Sequence, residues 1–422
     1  MHVRRVIAAL IAGLIVGSLI GSSHTTGGTW TIALLAPVGQ LWVNAIRMTV
    51  VPLVVALLFV SIATGSSVEG LGRLGVVTLA SFFGVLVFAA VVAVALGPPL
   101  IGDMHLAGDA ASSLRAVASG GAKATVSSVA GLPGFGSWVT SLVPSNVMKA
   151  AADGAMLPLI VFTLLLALAS RRIDAPLRQA LLGFFEAIGA ATTRIVEWII
   201  AAAPVGIFAL VTTAASRFGA GLAGAMAYYI LAICAALVLF ALLMYPLATV
   251  IGRIPLGLFV RAAAPAQAVA LGSSSSLASL PALVEGARRL GLPPTVSGFV
   301  LPLSVSTFKA ATPITWMIGT LFLAKLYGVT VGTTALLTIA LTAVALSLTI
   351  PGVPQGAQLL LAPLLVTYGI PPEGVALLIA ADTIPDLVGT MTNVTGDLVV
   401  ATIAARLGMG KAPVESAVPA DA

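Results

Sequence analysis

The sequence predicts an all-α membrane protein with eight transmembrane helices and two helical hairpins that enter the bilayer and return. Three observations carry this. The chain has 422 residues, of which Lys and Arg number 20 and Asp and Glu 14, so 8% are charged, whereas a soluble domain carries about 25%. Hydrophobic residues reach 59% and the mean hydropathy is +1.14. So few charges cannot cover a water-facing globule, which excludes a soluble enzyme and a disordered chain. The net charge of +6 has no basic face to carry it, so nucleic acid is excluded as a partner and the lipid bilayer is the surrounding. Finally, two apolar runs are each interrupted midway, at Gly272-Ser273-Ser274-Ser275-Ser276 and at Pro351-Gly352-Val353-Pro354-Gln355-Gly356.

The spans follow from apolar runs of about 20 residues or more, at 5–22, 30–64, 74–98, 153–170, 184–215 and 222–250. Met1 to Arg5 followed by an apolar run resembles a leader, but no small-residue cleavage site follows, so a retained first span is expected. Two further spans cover 293–326 and 373–408. No ten-residue alternating pattern recurs, which argues against a β-barrel. Residues 99–152 read as an external loop and 412–422 as a disordered tail. With the N-terminus inside and both broken runs re-entrant, twelve basic residues fall inside, among them Arg73, Arg171, Arg288 and Arg406, and five outside, among them Arg115 and Lys325. That agrees with the positive-inside rule and places both termini on the cytoplasmic side of the membrane.

Ionisable groups inside the bilayer default to function. At about 100° per residue, Asp382, Asp386, Thr390, Asn393 and Asp397 share an arc of about 80° on the last span, with Gly389 at its edge. Lys309 lies mid-way along the preceding span and needs a partner, which the facing carboxylates can supply. The alternative readings are a polar packing seam and a purely structural ion pair. The three histidines, His2, His24 and His105, sit at a terminus or in polar connections, so no histidine metal site and no cofactor is expected. Cys234 is single and reads as packing. Broken backbone at membrane depth belongs where it lines a cavity, and a pair of such breaks points to a transporter site. Ser273–Ser276 with Lys309 also admits an intramembrane Ser/Lys hydrolase, although no activated elbow accompanies them. A passive channel is the remaining rival.

Ser273 to Pro281, Pro351 to Ala357, and Asp386-Leu387-Val388-Gly389-Thr390-Met391-Thr392-Asn393-Val394-Thr395-Gly396-Asp397 together resemble the dicarboxylate/amino acid:cation symporters, the glutamate transporter family. Arg47, Pro52, Leu71 to Gly75, Pro158 and Pro204 to Phe208 extend the resemblance through most of the chain. It implies a homotrimer and an elevator motion. It also implies a division of the chain: scaffold helices 1 and 2 in 1–73, transport-domain helix 3 in 74–98, the external loop in 99–152, and scaffold helices 4 and 5 in 153–215. Helix 6 follows in 216–255, hairpin 1 in 256–292, helix 7 in 293–328, hairpin 2 in 329–370 and helix 8 in 371–411.

By the same resemblance Asp386 receives a substrate amino group. Asn393 and the Ser276 backbone face the α-carboxylate, Ser275 belongs with the substrate-binding residues, Thr312 and Thr390 supply hydroxyls, and Val353 and Pro354 form the outer gate. The departures are informative. The family's Asn-Met-Asp-Gly-Thr is replaced by Phe308-Lys309-Ala310-Ala311-Thr312, so two sodium ligands are missing. Val85, Leu86 and Ile350 stand where hydroxyls are expected, while Asp397, a sodium ligand in relatives, is retained. One carboxylate against one tethered ammonium keeps the charge balance at zero, so Lys309 is expected to replace bound sodium. A proton, carried by Lys309 or a carboxylate, then becomes the candidate coupling ion. Gly389 stands where relatives of acidic specificity present an Arg, which favours a small neutral amino acid; Lys309 leaves an acidic one open. An uncoupled exchanger and a dicarboxylate carrier of the same fold are the alternatives.

Overall fold

The computed structural model describes residues 8–9, 12–13, 15–17, 19–20, 26–64, 68–102, 104, 111–112, 114–115, 140, 142–216, 225–348, 356–371 and 374–409. Among these there is no strand. The tail 412–422, the second interruption at 351–355 and the three histidines lie outside the described residues, as does much of 99–152. We number the helices from Thr26: α1 Thr26–Thr64, α2 Val68–Gly102, α3 Val147–Ala152, α4 Met156–Ser170, α5 Ala175–Ala201, α6 Ala203–Ala215, α7 Ala225–Val250, α8 Leu256–Ser273, α9 Ser276–Arg289, α10 Pro294–Thr307, α11 Thr312–Tyr327, α12 Thr333–Ser347, α13 Gly356–Thr367, α14 Val375–Ala381 and α15 Thr383–Met409.

Gly72–Gly102, Met226–Val250, Leu256–Ser273 and Ile384–Met409 are each long and apolar enough to cross a membrane. In lipid the helix satisfies every backbone group within the segment, so apolar runs become helices. Their ends are set locally. Asn146 caps α3 by accepting from Lys149 N at 2.9 Å, and Ser275 caps α9 by accepting from Ala278 N at 3.2 Å. Gly328 ends α11 at φ +71°, a left-handed value that suits glycine.

Three expected spans are interrupted. The run 184–215 is not one helix: α5 and the following helix meet at 62°. Pro204 lies just past the bend, and it offers no N–H and disfavours helix in the residue before it. The span 293–326 breaks at Phe308–Ala311, between α10 and α11. The last span breaks at Asp382, between α14 and α15; Pro385 has no N–H for the carbonyl of Ala381. The shared arc therefore holds for Asp386 to Asp397 on α15, while Asp382 stands at the junction.

Helix α1 packs with α4, α5 and α6, whereas α15 packs with α2, α7, α8 and α10, and α2 also packs with α11 and α12. Helices α9 and α10 meet α1, and α8 meets α6. Close approaches mark these contacts. A Cβ at Gly206 would lie 2.2 Å from the Trp42 ring, and one at Gly272 would lie 3.0 Å from Ile207 Cγ1. Polar bonds tie the larger group together: Gln267 Nε2 donates to Tyr245 Oη at 2.8 Å and to Thr395 Oγ1 at 2.9 Å.

Side chains also join helix ends. Arg73 Nη2 donates to Leu407 O at 3.1 Å. Lys325 Nζ donates to Ile101 O at 3.0 Å and to Gly102 O, and Arg115 Nε donates to Leu326 O at 2.9 Å. Cations there meet the negative ends of helix dipoles.

Candidate functional site

Three interruptions converge on α15. The first is the turn of the helix pair α8 and α9. Ser274 there is left-handed, at φ 49° and ψ 33°, and its side chain approaches Asp386. Ser273 Oγ returns to Val269 O at 2.8 Å, and Ser276 is buried as the first residue of α9.

The second is the break Phe308–Ala311. Ala311 N donates to Asn393 Oδ1 at 2.9 Å, so an amide of α15 satisfies a backbone group that the break leaves without a helical partner. Phe308 stacks on Phe82 of α2, with ring centroids 4.7 Å apart and planes 11° apart. A Cβ at Gly396 would lie 3.0 Å from Phe308 Cε1 and 3.1 Å from Ala310 Cβ. Glycine at 396 is what lets the broken strand of backbone lie against α15. Thr312, buried, opens α11.

Lys309 projects from this break. Its Nζ donates to Val305 O at 2.9 Å, on the last turn of α10, and interacts through space with Asp397 and Asp386. The expected contact pair with a carboxylate is not formed. The ion pairs within 4.0 Å among the described residues are Arg194–Glu197, Arg288–Glu285 and Arg289–Glu285. The lysine instead satisfies a carbonyl freed by the helix end, which a C-terminal cation does well. None of Ser273–Ser276 bonds to Lys309 among the described contacts.

Asp397 is fully buried, and neither of its oxygens has a hydrogen bond of ordinary geometry. The Ser304 hydroxyl approaches it but donates to Leu301 O at 3.0 Å. Among the described residues, Lys309 is the cation that acts on this carboxylate.

The third interruption is at Asp382, whose Oδ1 accepts from Gln358 Nε2 at 3.2 Å. Gly389 faces Ala311 Cβ and Leu237 Cδ1 at 3.8 and 3.9 Å from where a Cβ would be, so it is no packing necessity. Thr390 is buried beside it. Ser274, Asp386, Lys309, Asn393, Gly389 and Asp397 are thereby gathered around one region. Val353 and Pro354 lie outside the described residues.

Gln358, Gln267 and the Val305 carbonyl were not singled out by sequence reasoning. The two glutamines carried the signal that marked the acids, a polar group in an apolar helix. The carbonyl carried none, because its availability depends on the break.

A helical membrane protein with broken helices meeting around buried charges has the form of a secondary transporter. The chain matches the model of the sodium:dicarboxylate symporter family over residues 3–407, and it belongs to that family. It is 29% identical over 386 residues to the proton/glutamate-aspartate symporter of Escherichia coli (strain K12), covering 91% of this chain and 87% of that one. It is 27% identical to a proton/sodium-glutamate symport protein of Bacillus subtilis (strain 168), covering 88% and 86%. To a C4-dicarboxylate transport protein of Rhodopseudomonas palustris (strain BisB18) it is 28% identical, covering 89% and 81%.

Proposed function

We propose that the protein is a sodium-independent symporter of amino acids, small neutral or acidic, in the cytoplasmic membrane. Lys309 stands in for a bound sodium ion, and a proton is the coupling ion. One observation carries the reading: a buried carboxylate, Asp397, without ordinary hydrogen bonds, acted on by a tethered ammonium. A charge left uncompensated in such a place costs several kcal/mol, so a carboxylate kept ionised there requires a cation. A tethered cation cannot leave with the substrate, and so cannot transmit a sodium gradient.

In this reading Asp386 receives the amino group, Asn393 and the Ser276 backbone serve the carboxylate, and Ser275 lies with them in the substrate site. Thr312 and Thr390 complete the pocket, Val353 and Pro354 close it, and Asp382, Lys309 and Asp397 replace the ion site. Helices 1, 2, 4 and 5 form a scaffold in a homotrimer, and the remainder moves as an elevator. The two interrupted runs are re-entrant hairpins, and both termini are cytoplasmic.

Reconstituted vesicles test the coupling. Uptake of a labelled amino acid panel is expected to be unchanged when sodium is replaced by choline, and to rise with an inward proton gradient. Strict dependence on sodium overturns the assignment of Lys309. Counterflow at equal rate with and without the proton gradient would identify an uncoupled exchanger.

A further inference from the structure

The arginines at one end of the larger helix group take no part in the site. From 251 to 289 four arginines stand against one acid, Glu285, and from 398 to 411 Arg406 and Lys411 stand against none. The fold brings these stretches together. A Cβ at Gly252 would lie 2.6 Å from Thr402 Oγ1, so the turn between α7 and α8 is pressed onto the last turns of α15. A Cβ at Gly286 would lie 2.6 Å from Ala262 O, which sets the end of α9 beside Arg261.

Their charges are not spent alike. Glu285 accepts from Arg288 Nε at 2.8 Å and from Arg289 Nε at 2.9 Å, and Glu197 of α5 acts on Arg288 through space. Arg253, Arg261 and Arg406 are in no ion pair among the described residues. Arg253 and Arg261 are exposed and Arg406 is half-buried. Arg253 is held at φ 56°, a left-handed backbone that glycine adopts freely and that costs a residue with a Cβ free energy. Gly252 and Ile254 on either side are buried, and Ile254 N donates to Ala248 O at 3.1 Å. The turn is thus fixed from both sides and presents a cation where glycine would fit with less strain. Strain kept at one residue points to a use of its side chain.

The depth of the three identifies the partner. Arg253 lies between the ends of two helices long and apolar enough to cross a membrane, and Arg406 lies in the last turn of a third. Such ends stand at headgroup level, and Arg261, on the second turn of α8, reaches it by extending along the helix. Leu256, Val260 and Leu407 beside them are exposed. Apolar side chains rimmed by arginines fit the boundary between acyl chains and anionic headgroups, whose phosphate oxygens accept from guanidinium forks. A soluble anion would leave the apolar members uncovered. We infer that Arg253, Arg261 and Arg406 form a docking surface for anionic phospholipid headgroups at the base of the helix group that carries the buried charges. The surface stands whichever substrate or ion is carried.

The full chain, purified in detergent, is titrated with phosphatidylglycerol, with phosphatidylcholine as the neutral lipid and inorganic phosphate as the free anion. Native mass spectrometry reads the lipid retained, and thermal unfolding reads the stabilisation. Phosphatidylglycerol should be retained at least about tenfold over phosphatidylcholine, and each of Arg253→Gly, Arg261→Gln and Arg406→Gln should cut that preference about fivefold. High salt should weaken it. Arg253→Gly relieves the backbone, so without lipid it should unfold no earlier than the parent and still lose preference, which separates binding from folding. Lys149→Gln, the same change of net charge placed on α3, should leave the preference within about twofold. The inference is overturned by equal retention of the two lipids, by a preference unaltered in all three arginine variants, or by an equal loss in Lys149→Gln, which would make net charge the cause. Stabilisation by inorganic phosphate equal to that by phosphatidylglycerol would make the ligand a soluble anion and overturn the lipid assignment.

Discussion

Substituting Lys309 by Met removes a charge and keeps much of the volume. The consequence follows from the surroundings of Asp397, which is fully buried and lacks an ordinary hydrogen bond. Among the described residues, its compensating influence of positive sign is Lys309. Breaking a buried pair from one side costs about 3–5 kcal/mol, whereas replacing both members by apolar groups is often neutral. Lys309→Met should therefore destabilise by about 3–5 kcal/mol, with a smaller loss from Val305 O, and Lys309→Met with Asp397→Leu should recover most of it. The coupling energy of the cycle should reach about 3 kcal/mol. Chemical or thermal unfolding of the purified protein in detergent, followed by size-exclusion recovery, measures all four corners. Were Lys309→Met as stable as the parent, or the double variant no better than the single, the charge-compensation argument would be wrong.

Two further outcomes follow from packing and backbone satisfaction. Gly396→Ala places a Cβ 3.0 Å from Phe308 Cε1 and 3.1 Å from Ala310 Cβ, both held from behind, so it should destabilise by about 1–3 kcal/mol; the same detergent unfolding assay reads it, and Gly389→Ala, with no contact nearer than 3.8 Å, should be close to neutral in parallel. Asn393→Leu deprives Ala311 N of its acceptor and should cost about 1–3 kcal/mol, with faster amide exchange at Ala311 by hydrogen–deuterium exchange as the local readout.

The helices were legible where hydrophobicity alone decides structure. The apolar run at 74–98 lies inside α2, and α7 covers 225–250 of the run at 222–250. The turn at Ser274 was legible too, since a polar run in an apolar setting needs a reason. The breaks were legible only in part. Pro313 is the local mark of the break at Phe308–Ala311, since it offers no N–H to the Lys309 carbonyl; the interruption is held by Asn393 and permitted by Gly396, residues more than eighty positions away. Asp382 belonged to the arc of α15 only if the helix ran through it. The carboxylates and the lysine of the site stood out because burying charge is expensive, but which of them meet depended on the breaks. The cost of a buried charge predicts a carboxylate partner for Lys309, whereas the interrupted helix offers it a carbonyl first.

The bonds at the helix ends have a mechanical consequence. Arg73 fastens the start of α2 to the end of α15, and Lys325 and Arg115 fasten α11 to the other end of α2 and to the segment just beyond it. Each bond fixes the axial register of two helices, as pins at both ends of a bundle of rods would. A sliding step of one rod past another would tear charge-assisted bonds at one end, while a shift of the pinned rods together tears none. The softest displacement available to these three helices is therefore a joint one.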